Sequence, residues 1–488
     1  MTRIIMGPFN RVEGDLEIRL ERDANRVREA WVSVPMYRGF EQIMQGKTPD
    51  DALVITPRIC GICSVSQSVA AAYALADMAD IHVPANAQHC INLMLACENL
   101  ADHLTHFYLF FMPDFARQIY ANEPWYAATA QRFTAIKGTA TRDALPARAA
   151  FMHVLGLLGG HWPHTLSLQI GGVSKAIDQR DKIRLLTSVQ QFRRFLESAL
   201  FGDSLERIAA LDSTTALAEW QAQAAPTSSD FRHFLHLADS LQLHQLGQST
   251  DEFLSYGAYR HAEQNSTYHF AQGVWHPRNR HVYAVPLALI REDLHASWLT
   301  GDDEPLHPFE GVTLPEYPKP DAYSWNKAPR LAGKVVETGA LARQMVAGHP
   351  LIRDLVAQSG GNVPNRVIAR LLELALVVPL METWIKAIRP GETFCQNMML
   401  PHDASGVGLV EAARGSLGHW VQVRHKHILN YQIITPTSWN FSPRDRHGKA
   451  GALEQALRNA PIRSGETEPI SVQHIVRSFD PCMVCTAH

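Results

Sequence analysis

Four cysteines carry the most specific chemistry in this chain: Cys60-Gly61-Ile62-Cys63 near its start, and Cys482-Met483-Val484-Cys485 just before the last residue, His488. Two thiolates at this spacing can hold one soft metal ion, but two ligands rarely complete a site. Each pair therefore needs the other, and the expectation is one four-thiolate site built from opposite ends of the chain. Such a site requires a buried C-terminus, whereas chain ends are ordinarily loose. Spacing alone suits structural zinc, an iron–sulfur cluster or a nickel-containing centre. Zinc is disfavoured because neither pair sits in a glycine-rich knuckle and a core of this size needs no metal staple.

The 488 residues are 46% apolar with a formal net charge of −3. That is enough for a large core, and it suggests neither a nucleic-acid partner nor an anionic membrane surface. No stretch is long and apolar enough to span a bilayer, and no signal peptide is evident. A soluble, cytoplasmic protein is the expectation. Of the seven cysteines, Cys90, Cys97 and Cys395 lie outside the two pairs and read as inert thiols, an arrangement unlike a disulfide scaffold.

The elements that must position the cysteines read as one mainly α domain over 1–488 with smaller β parts (α+β), long central helices and peripheral sheets. Residues 1–57 are β-rich, with a hairpin or small sheet around Arg11–Asp15, a tight point at Gly14 and a short helix ending near Gly46. Residues 52–56 read as an extended run stopped by Pro57, leaving the first pair in a loop. A helix over 66–79 follows, and a thiolate at its N-terminus is favoured in the charged form. The helical body covers 64–250 and 339–387. Helices are predicted over 87–112, 144–157, 179–206, 229–243, 339–358 and 364–387, the last kinking at Pro379, while 208–228 are uninformative. The 87–112 segment is apolar all round and therefore central, ending at Pro113. Its Asn92, Glu98, Asp102, His103 and His106 must find partners. Residues 255–335 read as an irregular and β insertion. Residues 395–488 close the site, with Asn430–Asn440 extended.

Arg58–Cys63 together with Asp480–His488 resembles the two signature motifs of the nickel–iron hydrogenase large subunit. The similarity continues in order through Arg11–Gly14, Arg38–Glu41, Asp102–Tyr108, Tyr323–Arg330, Arg414–Trp420 and Pro436–Asn440. The resemblance implies that Cys60 and Cys482 are terminal nickel ligands and that Cys63 and Cys485 bridge nickel to iron. The iron would carry carbon monoxide and cyanide delivered by maturation proteins. It also implies heterolytic cleavage of H2 to two protons and two electrons, one proton passing to Cys482 and then to Glu13. Burial raises a carboxylic acid's pKa toward that of such a donor. Without the motif, Glu13 reads as a salt-bridge partner of Arg11 or another arginine. Glu41 and His488 resemble ligands of a magnesium-type ion, with the Phe441 backbone carbonyl as a third donor; a metal-free ion-pair network would anchor the terminus equally. Arg414, Asp102 and Asp480 resemble a charged canopy over the open metal position. His106 stands where the family has a histidine near a bridging sulfur, or is an ordinary core histidine.

Two departures bear on the branch. Gln67 stands where catalytic uptake members carry a histidine; it keeps a hydrogen-bond donor but cannot titrate. Ile62 and Phe110 stand where oxygen-sensitive relatives have smaller residues, so they either narrow a gas route or fill the core. The resemblance is thus to the hydrogen-sensing, regulatory branch, which implies low turnover, paired heterodimers and a signal to a histidine kinase. The isolated cysteines are too few for a cluster relay, so an iron–sulfur small subunit must dock near the first motif. The alternative is a catalytic uptake or respiratory large subunit. A non-catalytic scaffold is opposed by the presence of all four cysteines.

Overall fold

Helices without a polar face must be covered on all sides, and two of them occupy the centre of the computed structural model, which describes residues 2–264, 266–301, 304–396 and 399–488. Ser64–Met78 and Ala85–Thr105 are buried along nearly their whole length. Val363–Ala387 packs on the second of them, is also largely buried, and carries Pro379 within it. Around these lie shorter helices and small antiparallel sheets, so the expected α+β class holds. Among the described residues, no helix is long and apolar enough to cross a membrane.

Three sheets matter for the site. Thr2–Met6, Glu17–Asp23 and Arg26–Ser33 form the N-terminal sheet. Phe253–Arg260, Tyr268–His276 and His281–Tyr283 form a second, within the predicted insertion. Ala404–Ala412, Gly415–Arg424 and His427–Ile434 form the third. The last packs flush on the Ser64–Met78 helix. A Cβ added at Gly408 would meet the Ala70 carbonyl oxygen at 1.8 Å, so only glycine permits that approach. Helix and sheet thus carry Gln67 and His419 to each other.

Several sequence expectations need correction. Residues 51–55 are helical, not extended. The Asp51 carboxylate accepts from Thr48 N at 2.9 Å and Thr48 Oγ1 at 2.8 Å, a start signal that outweighs the β-branched residues after it. The 87–112 helix is regular only over Ala85–Thr105; His106–Phe111 is a π-helical turn and Met112–Ala116 a 3-10 turn. Such turns displace side chains from the regular helical spiral. The 339–358 helix is two, Ala340–Ala347 and Pro350–Ser359, broken where Gly348 adopts φ +86° before Pro350. The uninformative stretch holds the helix Thr214–Ala222. The extended reading of Asn430–Asn440 stops at Ile434, and Pro436–Asn440 is a helix capped by Thr435.

The chain's two ends are joined near the N-terminal sheet by Glu454. Its buried carboxylate accepts from Val32 N at 3.0 Å, Gly451 N at 3.2 Å and Tyr323 OH at 2.8 Å. Burial raises its pKa from 4.5 to about 7 despite these bonds. Between those values the native state holds a proton that the unfolded chain has released, so stability falls as pH rises through the window and levels off above it. Glu454→Gln is expected to remove that part of the slope, at most about 3 kcal/mol. Urea unfolding of both proteins across this range checks it, and an identical slope would refute it.

Candidate metal centre

The two cysteine pairs meet. Cys60 Sγ lies 3.5 Å from Cys482 Sγ, Cys63 Sγ lies 2.9 Å from Cys485 Sγ, and Cys482 and Cys485 are 3.1 Å apart. All four thiols are buried, their sulfurs within 4.8 Å of one another, and no other such group exists among the described residues. Four thiolates this close repel strongly away from water. The donor set therefore fits soft, multiply charged metal ions. Buried polar atoms on residues of the same region also lack partners: Gln67 Nε2, His106 Nδ1 and Asp480 Oδ2.

Local structure explains how each cysteine is held. Cys63 is the N-cap of the Ser64–Met78 helix, as expected. Glu98, from the neighbouring central helix, caps the same helix end by accepting from Val65 N at 2.8 Å and Ser66 N at 2.9 Å. It also accepts from Trp162 Nε1 at 3.1 Å, and burial raises it to about 7. At the other end of the chain, three side chains from separate elements hold three carbonyls shortly ahead of Cys482. His106 Nε2 donates to Arg477 O at 2.6 Å, Arg370 Nη1 to Ser478 O at 2.6 Å, and Arg414 Nε to Asp480 O at 2.9 Å. Cys482 N donates to Thr437 Oγ1 at 3.1 Å. His106 therefore serves the backbone, and burial lowers it to about 3, leaving it neutral.

Glu13 lies beside the quartet through the backbone. Met483 N donates to Glu13 O at 2.7 Å in a parallel bridge between Glu13 and Cys482. Gly14 follows at φ +83°, where a Cβ would meet Val484 Cγ2 at 2.9 Å. Arg11 is ion-paired with buried Asp114, which also binds Arg477 at 2.6 Å, so the reading of Glu13 as Arg11's partner does not hold. Burial raises the Glu13 pKa; Arg414 opposes this, and Cys482 and Asp480 add to it.

Arg414 is buried with its Nη1 2.8 Å from Asp102 and its Nη2 3.1 Å from Asp480. One guanidinium faces two carboxylates. Burial raises Asp102 well above its ordinary value, whereas Asp480, which also receives Arg414 Nη2, is held below its own. Gln67 Oε1 is 2.8 Å from His419 Nε2. Ile62 and Phe110 are both half-buried.

Glu41 and His488 meet as well, 3.5 Å apart, and His488 is buried. Phe441 is not their third partner: its carbonyl accepts from Asn326 Nδ2 at 3.1 Å. The carbonyl at His488 Nε2 is that of Ile433, at 2.8 Å. These separations match neighbouring donors of an octahedral magnesium-type site, about 3 Å apart. The ion-pair alternative is built there too. Lys327 Nζ lies 3.0 Å from Glu41, 3.3 Å from Glu292 and 2.7 Å from Gln432 Oε1. Burial pushes Glu41 up, but Lys327 and His488 outweigh it and hold the carboxylate at about 2. Sequence reading missed the positioning by Glu98, Arg370, Thr437 and Ile433. Glu98 alone carried a signal, a charge in an apolar helix.

Cys482→Ala is expected to abolish nickel content and hydrogen-dependent activity together. Metal analysis of the purified complex checks this, and a normally loaded variant would refute a ligand role.

The sequence profile of nickel-dependent hydrogenases matches residues 38–144 and 139–488. The chain is 27% identical to the hydrogenase-2 large chain of Escherichia coli K12, covering 100% of this chain and 97% of that one. It is 28% identical to the periplasmic NiFeSe hydrogenase large subunit of Desulfomicrobium baculatum, covering 100% and 95%. Against the reduced Ni-Fe-Se hydrogenase from D. vulgaris Hildenborough the TM-score is 0.83 at 28% identity, with 100% of both chains covered. A reduced, active Ni-Fe-Se hydrogenase from Desulfomicrobium baculatum gives 0.84 at 26%, again over 100% of both.

These relatives correct the branch. Their names are those of a hydrogenase-2, a periplasmic hydrogenase and, for a relative in Bradyrhizobium diazoefficiens, an uptake hydrogenase, and none is that of a sensor. The hydrogen-sensing, regulatory reading falls, and with it the histidine kinase, the paired heterodimers inferred from that branch and the cytoplasmic placement. Gln67 reports hydrogen bonding near Cys63 and says nothing of where electrons go. With its cysteines gathered into one buried quartet and its whole length matched, the chain belongs to the nickel-dependent hydrogenase family, as an oxidoreductase large subunit of the NiFe(Se) type.

Proposed function

We propose that this chain cleaves H2 catalytically, as the large subunit of an uptake-type hydrogenase, with Cys60, Cys63, Cys482 and Cys485 holding a nickel–iron group. The observation that carries this reading is the four-thiol quartet drawn from both chain ends, with Arg414 and its two carboxylates nearby and Glu13 bridged to Cys482. Heterolytic cleavage of hydrogen, with carbon monoxide and cyanide on the iron, is the chemistry that group supplies when bound. All four thiols would hold that group.

The protein's part is to move protons and exclude water. Cys482 Sγ takes the first proton. The Glu13 carboxyl takes it next, since burial beside Cys482 and Asp480 brings its proton affinity upward. Glu13 is half-buried, so part of the residue is within reach of solvent. Arg414 presents a fixed positive charge that needs no reorganisation during reaction. Ile62 and Phe110 narrow the approach for gas. Glu41, His488 and the Ile433 carbonyl would hold a divalent ion and so fix the terminus.

The two electrons leave through an iron–sulfur small subunit, the partnership typical of this family. Near the first motif, Val54 is 43% and Leu166 48% exposed, and apolar side chains so presented suit a protein partner. Maturation proteins deliver the diatomic ligands.

The deciding experiment is an infrared spectrum of the chain with its native partner in the carbon monoxide and cyanide region, before and after hydrogen. Bands that shift with hydrogen are expected; a fully metallated sample without them would overturn the reading. Glu13→Gln is expected to leave nickel content and bands intact while slowing hydrogen–deuterium exchange by at least ~100-fold, the scale of lost acid–base catalysis. An unchanged exchange rate would remove Glu13 from the route.

A further inference from the structure

Gln67 lies one helical turn after Cys63, its backbone N donating to Cys63 O at 3.0 Å. Side chains on a helix lean toward its N-terminus, so this amide leans back over Cys63. Gln67 is 0% exposed, and its Oε1 is 2.8 Å from His419 Nε2. Its Nε2 has no partner among the described residues. His419 Nδ1 is in turn 2.8 Å from Tyr431 OH, and both of these residues are also 0% exposed. Leaving a buried amide nitrogen without a partner is costly, so a group that satisfies it is to be expected beside the quartet.

The direction of this hydrogen-bond chain follows from counting protons. Burial lowers His419 to about 3, so its ring is neutral and carries a single N–H. In one arrangement Tyr431 donates to Nδ1, and His419 Nε2–H donates to Gln67 Oε1. In the other Nδ1–H donates to the tyrosine oxygen, and Nε2 accepts from the Gln67 amide nitrogen. The second strands the buried Tyr431 hydroxyl proton, which has no other acceptor among the described residues. A phenol ordinarily keeps its proton at neutral pH. The first arrangement satisfies all three groups and leaves both amide protons of Gln67 free.

We propose that Tyr431 and His419 are positioning residues: they lock the Gln67 amide with its oxygen toward the sheet, so that its N–H donors face the volume of the cysteine quartet. There they donate to an electron-rich group of the bound centre, a thiolate sulfur or an anion on the metals. A rotating glutamine would offer oxygen as readily as nitrogen; the tyrosine removes that choice. This rests on the nickel–iron reading above.

The test uses the nickel-loaded complex with its native partner and compares infrared bands of wild type, Gln67→Met, Tyr431→Phe and the double variant, with nickel content measured in each. Losing an N–H donor leaves the metal ligands more electron-rich, so the carbon monoxide band is expected at lower wavenumber in Gln67→Met. Tyr431→Phe is expected to shift it in the same direction. The double variant should coincide with Gln67→Met alone, because the hydroxyl acts only through Gln67. Additive shifts, or a Tyr431→Phe spectrum identical to wild type, would overturn the proposal. Failure of the metal reading itself looks different, since wild type would then show no such bands. Should Tyr431→Phe lose nickel, His419 decides: His419→Gln can still donate to Gln67 Oε1 and is expected to hold the wild-type positions, whereas His419→Phe shifts them. Equal band positions in those two variants would also overturn it.

Discussion

Four sulfur atoms within 4.8 Å, drawn from opposite ends of the chain and shut away from water, set the terms for the rest of the molecule. Their mutual repulsion in a low dielectric must be met by metal charge, and their geometry must be held until that charge is in place. Both cysteine segments are correspondingly over-determined. The first is fixed by a helix N-terminus that Glu98 caps, and the second by side-chain donors from three elements together with a backbone bridge to Glu13. A terminus held so firmly is part of the core. Ala487 is 1% and His488 7% exposed.

Buried charge is handled by the same logic throughout. Arg343 binds Glu373 at 2.8 Å and Glu411 at 3.0 Å, and Arg366 binds Glu337 at 2.7 Å. Each cation is matched by carboxylate, and its other hydrogen bonds go to backbone carbonyls or, for Arg366 Nη1, to the Ser478 hydroxyl, the condition under which a buried ion pair is tolerable. Around the quartet the balance is left incomplete. Arg414 faces two carboxylates, and among the described residues Arg370 Nε, Gln67 Nε2 and His106 Nδ1 have no partner. Elsewhere such groups would be faults. Here they surround a site built for a charged group that completes them.

The misreading of the branch has a physical origin. Gln67 resembles the residue of a sensor, yet it belongs to a local hydrogen-bond chain with His419 and Tyr431. What a hydrogenase does with its electrons depends on the surface it offers and the partner that docks there. Neither is encoded in the shell around one cysteine. Relatives matched over nearly their whole length are named as periplasmic and uptake hydrogenases, and that likeness outweighs the local substitution.

From the sequence alone came the quartet, the family and the broad class, because ligand type, spacing and continuous helical hydrophobicity are local properties. The helix start at Asp51 was also written there, in Thr48 and Asp51, although the β-branched run after them hid it. The π-helical turn at His106–Phe111 was not legible, since packing against distant elements decides where a helix leaves its regular path. Nor was Ile433 as the carbonyl beside His488, or Arg370 as a holder of Ser478. A backbone carbonyl looks alike at every residue, and a long side chain's reach depends on what lies opposite it. Those assignments belong to tertiary structure, because only the folded chain sets the distances and directions between groups hundreds of residues apart.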